Sequence, residues 1–327
     1  MITVHIIGAS GYASAELIRL LHAHPDVRIA TLESRSSPGA RVCDLFAALP
    51  RITQTCDPEG SVLERAAADD VVFLAGNHEL AHAHVPGLLA RGSRVIDLSD
   101  AYRLCAKAEG AVYGFPERYR DAIARSRFVA NPGCYVTASL LALVPLGPFA
   151  DRIASVVVDA KSGITGAGRT PRVESLFAEA DGDVRAYGMN GHRHGPEIVQ
   201  EAAAAGITAP LIFSPHVVPL RRGILADVYL IPAAPLARDD ILAALMRFYA
   251  ASPFVTVFDD ARVPNLPSLE MTNDAQLAVA QRSGIVHIAC GLDNLGKGAA
   301  GQAVQNMNIM LGLPEERGLA ARSVALN

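Results

Sequence analysis

The chain has 327 residues, half of them apolar, and a formal net charge of −4. This length favours two domains, and the near-neutral charge provides no basic field for nucleic acid. The sequence has no apolar run of about 18 residues, as a membrane span needs, and its five scattered cysteines include no CxxC pair. We therefore expect a cytoplasmic protein that binds a small molecule and binds no membrane, nucleic acid or metal.

The beginning of the chain has the pattern of a nucleotide-binding unit. The apolar run TVHIIG at 3–8 predicts a strand, and ASAELIRLL at 13–21 has helical spacing. Gly8 and Gly11 lie in the turn between them. Such a turn points the N–H groups of a helix start at a pyrophosphate, although an ordinary strand–helix turn has the same pattern.

The second predicted strand, VRIATLES at 27–34, ends in a segment that bears on the choice of cofactor. Glu33 favours NAD, because an acidic side chain at this place binds the ribose hydroxyls. Ser34, Arg35 and Ser36 favour NADP, because hydroxyls and a guanidinium bind a 2′-phosphate. We expect NADP; the alternative is a solvated loop.

Two more strands are predicted at 69–76 and 93–99, with a crossover helix between them that ends at Gly92. Three histidines in that helix, two of them spaced i, i+4, suggest a metal site. No carboxylate or cysteine set completes such a site, so we expect histidines of the helix surface or of the cofactor contact.

The fifth predicted strand, at 127–133, leads directly into Cys134 and the apolar sequence YVTASLLAL. A cysteine at a helix start lies beside unpaired N–H groups and the positive end of the helix dipole, and both favour a nucleophilic thiolate. The alternative is a buried structural cysteine. Because ligands bind at the carboxyl ends of parallel strands, we expect Cys134 to lie beside a nicotinamide.

The second half of the chain has longer strands and polar connections. A strand is predicted at 152–163, and the glycine-rich loop after it indicates either an anion contact or a plain turn. His192 and His194 follow in the sequence GMNGHRHGPEI, and a strand would place both rings on one face. They are candidates for a base and a substrate anchor, or else structural histidines.

Two further stretches are candidates for ligand contacts. Arg221 and Arg222 precede an apolar strand, where one of them can clamp a carboxylate or phosphate and the other can belong to the surface. The sequence DNLGKGAAGQAVQNMNIML at 293–311 predicts a helix that is entered through glycines. Its small residues permit close approach either to a cofactor or to a sheet.

These stretches, in this order, resemble the N-acetyl-γ-glutamyl-phosphate reductase family, which is related to the aspartate-semialdehyde dehydrogenases. The resemblance runs from residue 7 to about residue 308. Val136 stands where the family commonly has proline. The matching segments are GASGYASAELIRLL, VIDLSDAYRL, VYGFPE, NPGCYVTASLLAL, SGITGAGR, HRHGPEI, FSPHVVPLRRGIL and NLGKGAAGQAVQNMN.

The resemblance implies an α/β protein of two domains. A Rossmann-type NADP-binding domain at 1–133 is completed by a C-terminal helix at 298–327. An α+β domain of the semialdehyde dehydrogenase kind, at 134–297, carries catalysis and oligomerisation. The implied assembly is a homo-oligomer, either a dimer or a tetramer.

The resemblance also implies roles for individual residues. Cys134 is the nucleophile, His192 is preferred as the proton carrier, and His194 is a substrate-binding or orienting partner. The implied substrate-binding residues are Arg103, Asn131 and Arg222. The implied cofactor contacts are Gly8, Ser10, Gly11, Tyr12, Ala13, Ser34, Arg35, Ser36, Gly163, Gly166, Asn294 and Lys297.

The expected reaction is the NADPH-dependent reduction of N-acetyl-γ-glutamyl phosphate through a Cys134 thioester, in arginine biosynthesis. A reductase of another acyl phosphate, such as aspartyl phosphate or a carrier-bound aminoadipyl phosphate, would use the same cysteine. A cysteine hydrolase or acyltransferase would need no NADP. A regulator that binds NADP without catalytic activity would need neither the cysteine nor the histidines.

Overall fold

The computed structural model describes residues 1–319, apart from the side chain of Ala106. Two compact units make up this part of the chain. The first comprises Met1–Pro132 and the segment that begins at Ala299, and the second is Gly133–Gly298. Each unit is described separately below.

The first unit is built on a sheet in which every strand pair is parallel. The strand order is β2-β1-β3-β4-β6-β5. Successive strands are therefore added first on one side of β1 and then, from β3 onward, on its other side. β3 consists only of buried apolar residues, as expected for a parallel strand with both faces covered. The strands are β1 (Ile2–Ile7), β2 (Val27–Glu33), β3 (Val71–Leu74), β4 (Arg94–Asp97), β5 (Val112–Tyr113) and β6 (Phe128–Ala130).

The predicted strands of this unit are all present, and the structure adds the two-residue strand β5, which is too short to leave a periodic pattern in the sequence. Asn77 begins the fourth helix by accepting a hydrogen bond from the Leu80 N–H at 3.1 Å. The helices are α1 (Tyr12–Ala23), α2 (Val42–Leu45), α3 (Ser61–Arg65), α4 (His78–Ala90) and α5 (Pro116–Arg125).

The second unit is built on a mixed sheet with the strand order β11-β12-β13-β10-β7-β9-β8. Residues of β7 and β10 largely alternate between buried and half-buried, so one face packs in the core and the other carries a mixture of apolar and polar side chains. The strands are β7 (Ile153–Ser162), β8 (Arg185–Ala186), β9 (Leu211–Val217), β10 (Ile224–Pro232), β11 (Val255–Phe258), β12 (Ala275–Arg282) and β13 (Ile285–Leu292).

The helices of this unit are α6 (Cys134–Leu143), α7 (Phe177–Ala180), α8 (His194–Ala204), α9 (Arg238–Tyr249) and α10 (Leu266–Leu269). α6 continues as a 3₁₀ helix, and the whole stretch Cys134–Arg152 is long and apolar enough to cross a membrane, which corrects the expectation that no such stretch exists. Most of it is buried, with α6 packed against β10, β13 and α8. It is therefore built like the core helix of a folded domain.

The last described helix returns to the first unit. A π-helical turn at Gly296–Ala300 leads into α11 (Gly301–Met310), which packs against α1, α5 and β4. The helix predicted at 298–327 is thus too long. It ends at Met310 because Gly312 adopts a positive φ of 69° and Pro314 follows. Residues 320–327 of that prediction lie outside the described residues.

Candidate active site

Cys134 is the first residue of α6, the position that the sequence predicted. Gly133 forms the N-cap with φ −68° and ψ 150°, and its carbonyl accepts a hydrogen bond from the Thr137 N–H at 2.9 Å. No side chain within residues 1–319 caps this helix start. The positive end of the helix dipole therefore lies beside Cys134, where it can stabilise an anion or a developing oxyanion.

Two glycines make room for the cysteine turn. A Cβ built on Gly133 would overlap the imidazole of His194, and one built on Gly298 would lie 2.9 Å from the Cβ of Cys134. A side chain at either position would force a neighbouring group to move, so glycine fits best at both. Of the small residues predicted at the entry to the last helix, Gly298 is the one that packs against Cys134.

The first turn of α8 lies against the same cysteine turn. The buried carboxylate of Glu197 accepts a hydrogen bond from the Gly133 N–H at 3.1 Å. His194, one turn earlier, contacts Gly133 with its ring. Gly133, the residue before Cys134, is thus in contact with two side chains of one helix.

The two histidines do not lie on a strand, the geometry that would have put both rings on one face. His192 lies in the turn before α8, and His194 is the first residue of that helix. The His194 N–H donates to Nδ1 of His192 at 3.1 Å, and the ring centroids are 4.8 Å apart. Pro196 and Glu197 in the first turn are the helix-start signals that indicate this arrangement in the sequence.

His192 lies in an aromatic cluster. Its ring meets those of Tyr135, Tyr187 and Phe213 edge to face, with centroids 5.3 to 6.0 Å apart. Burial, with a smaller contribution from the charge of Arg193, lowers the pKa of His192 to about 4. The imidazole is therefore neutral at pH 7 and can accept a proton.

The glycine-rich loop after β7 packs tightly against its neighbours. A Cβ on Gly163 would lie 2.8 Å from the backbone of Arg222, and one on Gly166 would lie 3.0 Å from the Ser162 hydroxyl. Asn294 links this loop to the start of β10. Its side chain accepts a hydrogen bond from the N–H of Gly223, directly before β10, at 2.8 Å and donates one to the Thr165 hydroxyl at 3.0 Å. Three of the predicted cofactor contacts thus lie close together in the second unit, namely Gly163, Gly166 and Asn294.

Two predicted ligand residues of the second unit bind within the protein. Lys297 is completely buried, with its ammonium 5.9 Å from the centroid of Phe254. Arg222 binds the buried carboxylate of Asp293 through Nε at 3.1 Å and Nη2 at 2.7 Å. Their roles toward cofactor and substrate remain predictions.

In the first unit, the predicted cofactor loop connects β1 to α1. Gly8 has φ +84°, and a Cβ there would lie 2.7 Å from the carbonyl oxygen of Ala75. Gly11 is the N-cap of α1, and Tyr12 and Ala13 form its first turn. The Ser10 hydroxyl lies 3.0 Å from that of Ser36, so the glycine loop and the loop after β2 meet.

At the end of β2, the residue that favours NAD and the residues that favour NADP lie in different environments. The Glu33 carboxylate points inward, where it accepts from the Val62 N–H at 2.8 Å and lies 3.6 Å from the His84 imidazole. Arg35 and Ser36 are exposed. The buried hydroxyl of Ser34 has no hydrogen-bond partner within residues 1–319. The exposed polar side chains at this place are thus those of Arg35 and Ser36, which favour a 2′-phosphate.

Arg103 and Asn131, two predicted substrate residues, lie at the carboxyl edge of the parallel sheet and are buried. Arg103 donates to the carbonyls of Asn131 at 2.8 Å and Leu98 at 2.6 Å. The Asn131 side chain donates to the Ala299 carbonyl and accepts from Asn306. These contacts order the end of β6, directly before the cysteine turn.

Two of the three histidines of α4, His78 and His82, are exposed on the helix surface as one interpretation predicted, whereas His84 is buried. His82 lies 3.2 Å from the Tyr102 hydroxyl, and His84 contacts the Leu80 carbonyl at 2.9 Å. Within residues 1–319, no group of three His, Cys, Asp or Glu side chains is arranged to hold a metal ion.

Comparisons with known proteins agree with this division. A family model described as semialdehyde dehydrogenase, NAD binding domain, matches residues 3–126, and one described as semialdehyde dehydrogenase, dimerisation domain, matches residues 134–294. Aspartate semialdehyde dehydrogenase II from Vibrio cholerae, complexed with ASA, is 18% identical, with a TM-score of 0.75 over 95% of this chain and 98% of that one. Fold and site therefore define a protein of the semialdehyde dehydrogenase class.

Closer relatives identify the family within that class. The N-acetyl-gamma-glutamyl-phosphate reductase of Citrifermentans bemidjiense is 42% identical over 98% of both chains. The protein of that name from Dehalococcoides mccartyi is 43% identical over 97% of this chain and 96% of its own length. The chain belongs to the N-acetyl-gamma-glutamyl-phosphate reductase family.

Proposed function

We propose that this protein catalyses the NADPH-dependent reduction of N-acetyl-γ-glutamyl phosphate to N-acetylglutamate semialdehyde, with release of phosphate, in arginine biosynthesis. The observation that carries the proposal is the position of Cys134 at the uncapped start of α6, between Gly298 and the Gly133 turn that His194 and Glu197 hold. The reaction is that named for the relatives described above.

In the first half-reaction the Cys134 thiolate attacks the acyl carbon. A sulfur–carbon bond forms, the carbon–oxygen bond to phosphate breaks, and inorganic phosphate leaves with the electron pair. The product is a thioester on Cys134. N–H groups of the first turn of α6 are suited to stabilise the oxyanion through which this exchange passes.

NADPH, when bound, supplies the hydride that reduces the acyl group. The protein contributes the proton transfers of the second half-reaction, in which the thiohemiacetal oxygen loses its proton, the sulfur–carbon bond breaks and the aldehyde leaves. The sequence favoured His192 for this proton. The contact of the His194 ring with Gly133 supports the other order, with His194 as proton carrier and His192 as the neutral neighbour that orients it.

The cofactor-binding residues in the first unit are those of the two adjoining loops. Gly8 allows the loop to pass close to Ala75, because a Cβ at this position would clash with the Ala75 carbonyl. The start of α1 offers N–H groups to a pyrophosphate. Arg35, Ser36 and the unpaired hydroxyl of Ser34 suit a 2′-phosphate, whereas Glu33 is engaged by Val62. These features support NADP over NAD.

We further propose that Gly163, Gly166, Asn294 and Lys297 form the protein side of the nicotinamide contact. Arg103, Asn131 and Arg222 complete the predicted substrate set. Their internal hydrogen bonds limit them to positioning or to single additional contacts. The protein is proposed to act in the cytoplasm as a homo-oligomer that assembles through the domain matched as a dimerisation domain.

The test runs the reaction backwards. Purified protein is given NADP and N-acetylglutamate semialdehyde with and without inorganic phosphate, and NADPH absorbance is followed, with aspartate semialdehyde as the parallel substrate. Phosphate-dependent NADPH formation from the acetylated aldehyde alone is expected. Activity with only the other aldehyde would keep the chemistry and overturn the substrate, and no phosphate-dependent activity with either would overturn the proposed reaction.

A further inference from the structure

Asp293, the first residue after β13, has a completely buried carboxylate. Its Oδ1 accepts a hydrogen bond from the Leu295 N–H at 2.9 Å, and its Oδ2 accepts one from the Met271 N–H at 2.6 Å. The guanidinium of Arg222 supplies the compensating charge, with Nε 3.1 Å from Oδ1 and Nη2 2.7 Å from Oδ2. A buried carboxylate is stable only when it is paired and hydrogen-bonded in this way.

This one carboxylate joins three separate turns of the second unit. Arg222 lies in the turn before β10, Met271 in the turn before β12, and Leu295 in the turn after β13. Met271 adopts a φ of +65°, the left-handed conformation that residues other than glycine rarely adopt. The hydrogen bond from its N–H to Asp293 therefore stabilises a turn whose backbone is strained.

The backbone of the same residue holds the turn that reaches the nucleophile. The Asp293 carbonyl accepts a hydrogen bond from the Gly298 N–H at 2.9 Å, which closes the turn 293–298. Gly296 packs on the turn before β12, because a Cβ there would overlap the carbonyl oxygen of Thr272. Gly298 in turn lies against Cys134, where a Cβ would be 2.9 Å from that of the cysteine. A continuous series of close contacts thus runs from Asp293 to Cys134.

The surroundings of Asp293 suit a role in placement and not in proton transfer. Its carboxylate is completely buried, and both oxygens already accept hydrogen bonds from the protein. Packed groups cannot shift independently of one another, so a movement of the turn 293–298 is transmitted to the residue that it touches. That residue is Cys134.

We propose that Asp293 is a positioning residue of the reaction, which fixes the turn 293–298 and through Gly298 holds the sulfur of Cys134 at the start of α6. The inference rests on the proposed function for its effect on turnover. The placement of the sulfur can be measured without any substrate, so the two claims can be tested separately.

The chemical test uses Asp293→Asn in the full-length protein, with Asp260→Asn as the matched control. The asparagine keeps the shape of the side chain, but its NH2 group cannot accept the hydrogen bonds that one carboxylate oxygen accepts. Asp260 is an exposed carboxylate of the same unit, paired with Arg262. Each protein is treated with iodoacetamide at pH 7, and modification of Cys134 is followed by peptide mass spectrometry. We expect the alkylation rate to fall several-fold in Asp293→Asn, because the displaced sulfur loses the helix start that favours its thiolate, and to stay unchanged in the control.

A kinetic test measures the same displacement during turnover. In the reverse reaction we expect kcat to fall about 100-fold in Asp293→Asn, as a misplacement of about 1 Å predicts, and to stay unchanged in Asp260→Asn. The double variant with Gly298→Ala is expected to lose less than the product of the two single losses, because both changes act on the same contact with Cys134.

A second variant weakens the same contact and keeps the buried charges balanced. Arg222→Lys retains a cation beside Asp293 but lacks the planar fork that binds both oxygens, and Arg262→Lys makes the same change in the exposed pair. We expect the alkylation rate of Cys134 to fall in Arg222→Lys, by a smaller factor than in Asp293→Asn, and to stay unchanged in Arg262→Lys. Arg222→Lys decides the question if Asp293→Asn does not fold.

The outcomes separate the two claims. If the wild type does not turn over the semialdehyde but Asp293→Asn or Arg222→Lys still slows alkylation, the proposed function fails and the positioning role stands. An unchanged alkylation rate in every folded variant overturns that role, and a raised KM for NADP or the aldehyde in such a variant would assign Asp293 to ligand contacts. A double variant that loses the full product of the single losses would overturn the route through Gly298.

Discussion

Gly298 and Cys134 are in contact across the second unit, so closely that a Cβ on the glycine would lie 2.9 Å from the Cβ of the cysteine. Real Cβ atoms do not approach so near, and one of the two backbones must move if the glycine gains a methyl group. Gly298 belongs to the π-helical turn before α11, and Cys134 begins α6. The position of the sulfur is therefore set partly by a residue more than 160 positions away in the sequence.

This contact makes Gly298→Ala a test of cysteine placement. The added methyl group displaces Cys134, and a misplacement of about 1 Å is expected to lower kcat about 100-fold. The matched control is Gly195→Ala, because Gly195 has open space at its Cβ position and is the second residue of α8, near the same turn. Comparable kcat values for the two variants, with both folded by circular dichroism, would contradict the packing role of Gly298.

Glu197 gives a second prediction through its hydrogen bond to Gly133. Glu197→Ala leaves that N–H without its carboxylate partner, and we expect the free energy of unfolding to fall by about 1–3 kcal/mol and kcat to fall more than KM changes. Glu197→Gln keeps an acceptor oxygen and is expected to restore most of both. Urea unfolding and steady-state kinetics measure the two effects. A Gln variant as impaired as the Ala variant would show that the hydrogen bond is not what matters.

Arg35 is the expected determinant of cofactor choice. Arg35→Ala is predicted to raise the KM for NADPH about 10- to 100-fold while leaving the KM for NADH and for the acyl phosphate nearly unchanged, because only NADPH carries the 2′-phosphate. Arg41→Ala is the control, since Arg41 is exposed and paired with Asp44 in the same region of the chain. Equal effects of Arg35→Ala on NADPH and NADH would refute the assignment.

His192 predicts a pH dependence of stability. Its pKa is lowered from 6.5 to about 4 by burial and by Arg193, so between these values the unfolded chain binds more protons than the folded one. The free energy of unfolding therefore falls as the pH falls through this window, by at most about 1.4 kcal/mol per pH unit. His192→Asn removes this contribution. Urea unfolding of both proteins from pH 4 to pH 7.5 measures the difference, and parallel profiles would count against a buried neutral imidazole.

The strand–turn–helix start of the chain and the helix start at Cys134 were both predictable, because each depends on a local pattern of apolar spacing with glycine or proline at a turn. The helix start at His194 was not recognised from the sequence, since a spacing of two residues between His192 and His194 fits a strand, a loop or a helix start. Pro196 and Glu197 are the signals that indicate the helix start.

Long-range contacts leave no such pattern. The hydrogen bond between Glu197 and Gly133 joins residues 64 positions apart, and the inward turn of Glu33 depends on the N–H of Val62. Burial in β13, another effect of long-range packing, raises the pKa of the Cys290 thiol.

The most direct measurement of the central claim is the detection of an acyl group on Cys134. The protein is incubated with N-acetyl-γ-glutamyl phosphate in the absence of NADPH, quenched in acid and analysed by peptide mass spectrometry, with Cys134→Ser treated in parallel. We predict one N-acetylglutamyl group on the Cys134 peptide, released by hydroxylamine and absent from a folded, NADP-binding and inactive Cys134→Ser. An adduct on another residue, or more than a few per cent of wild-type turnover by Cys134→Ser, would contradict the thioester mechanism.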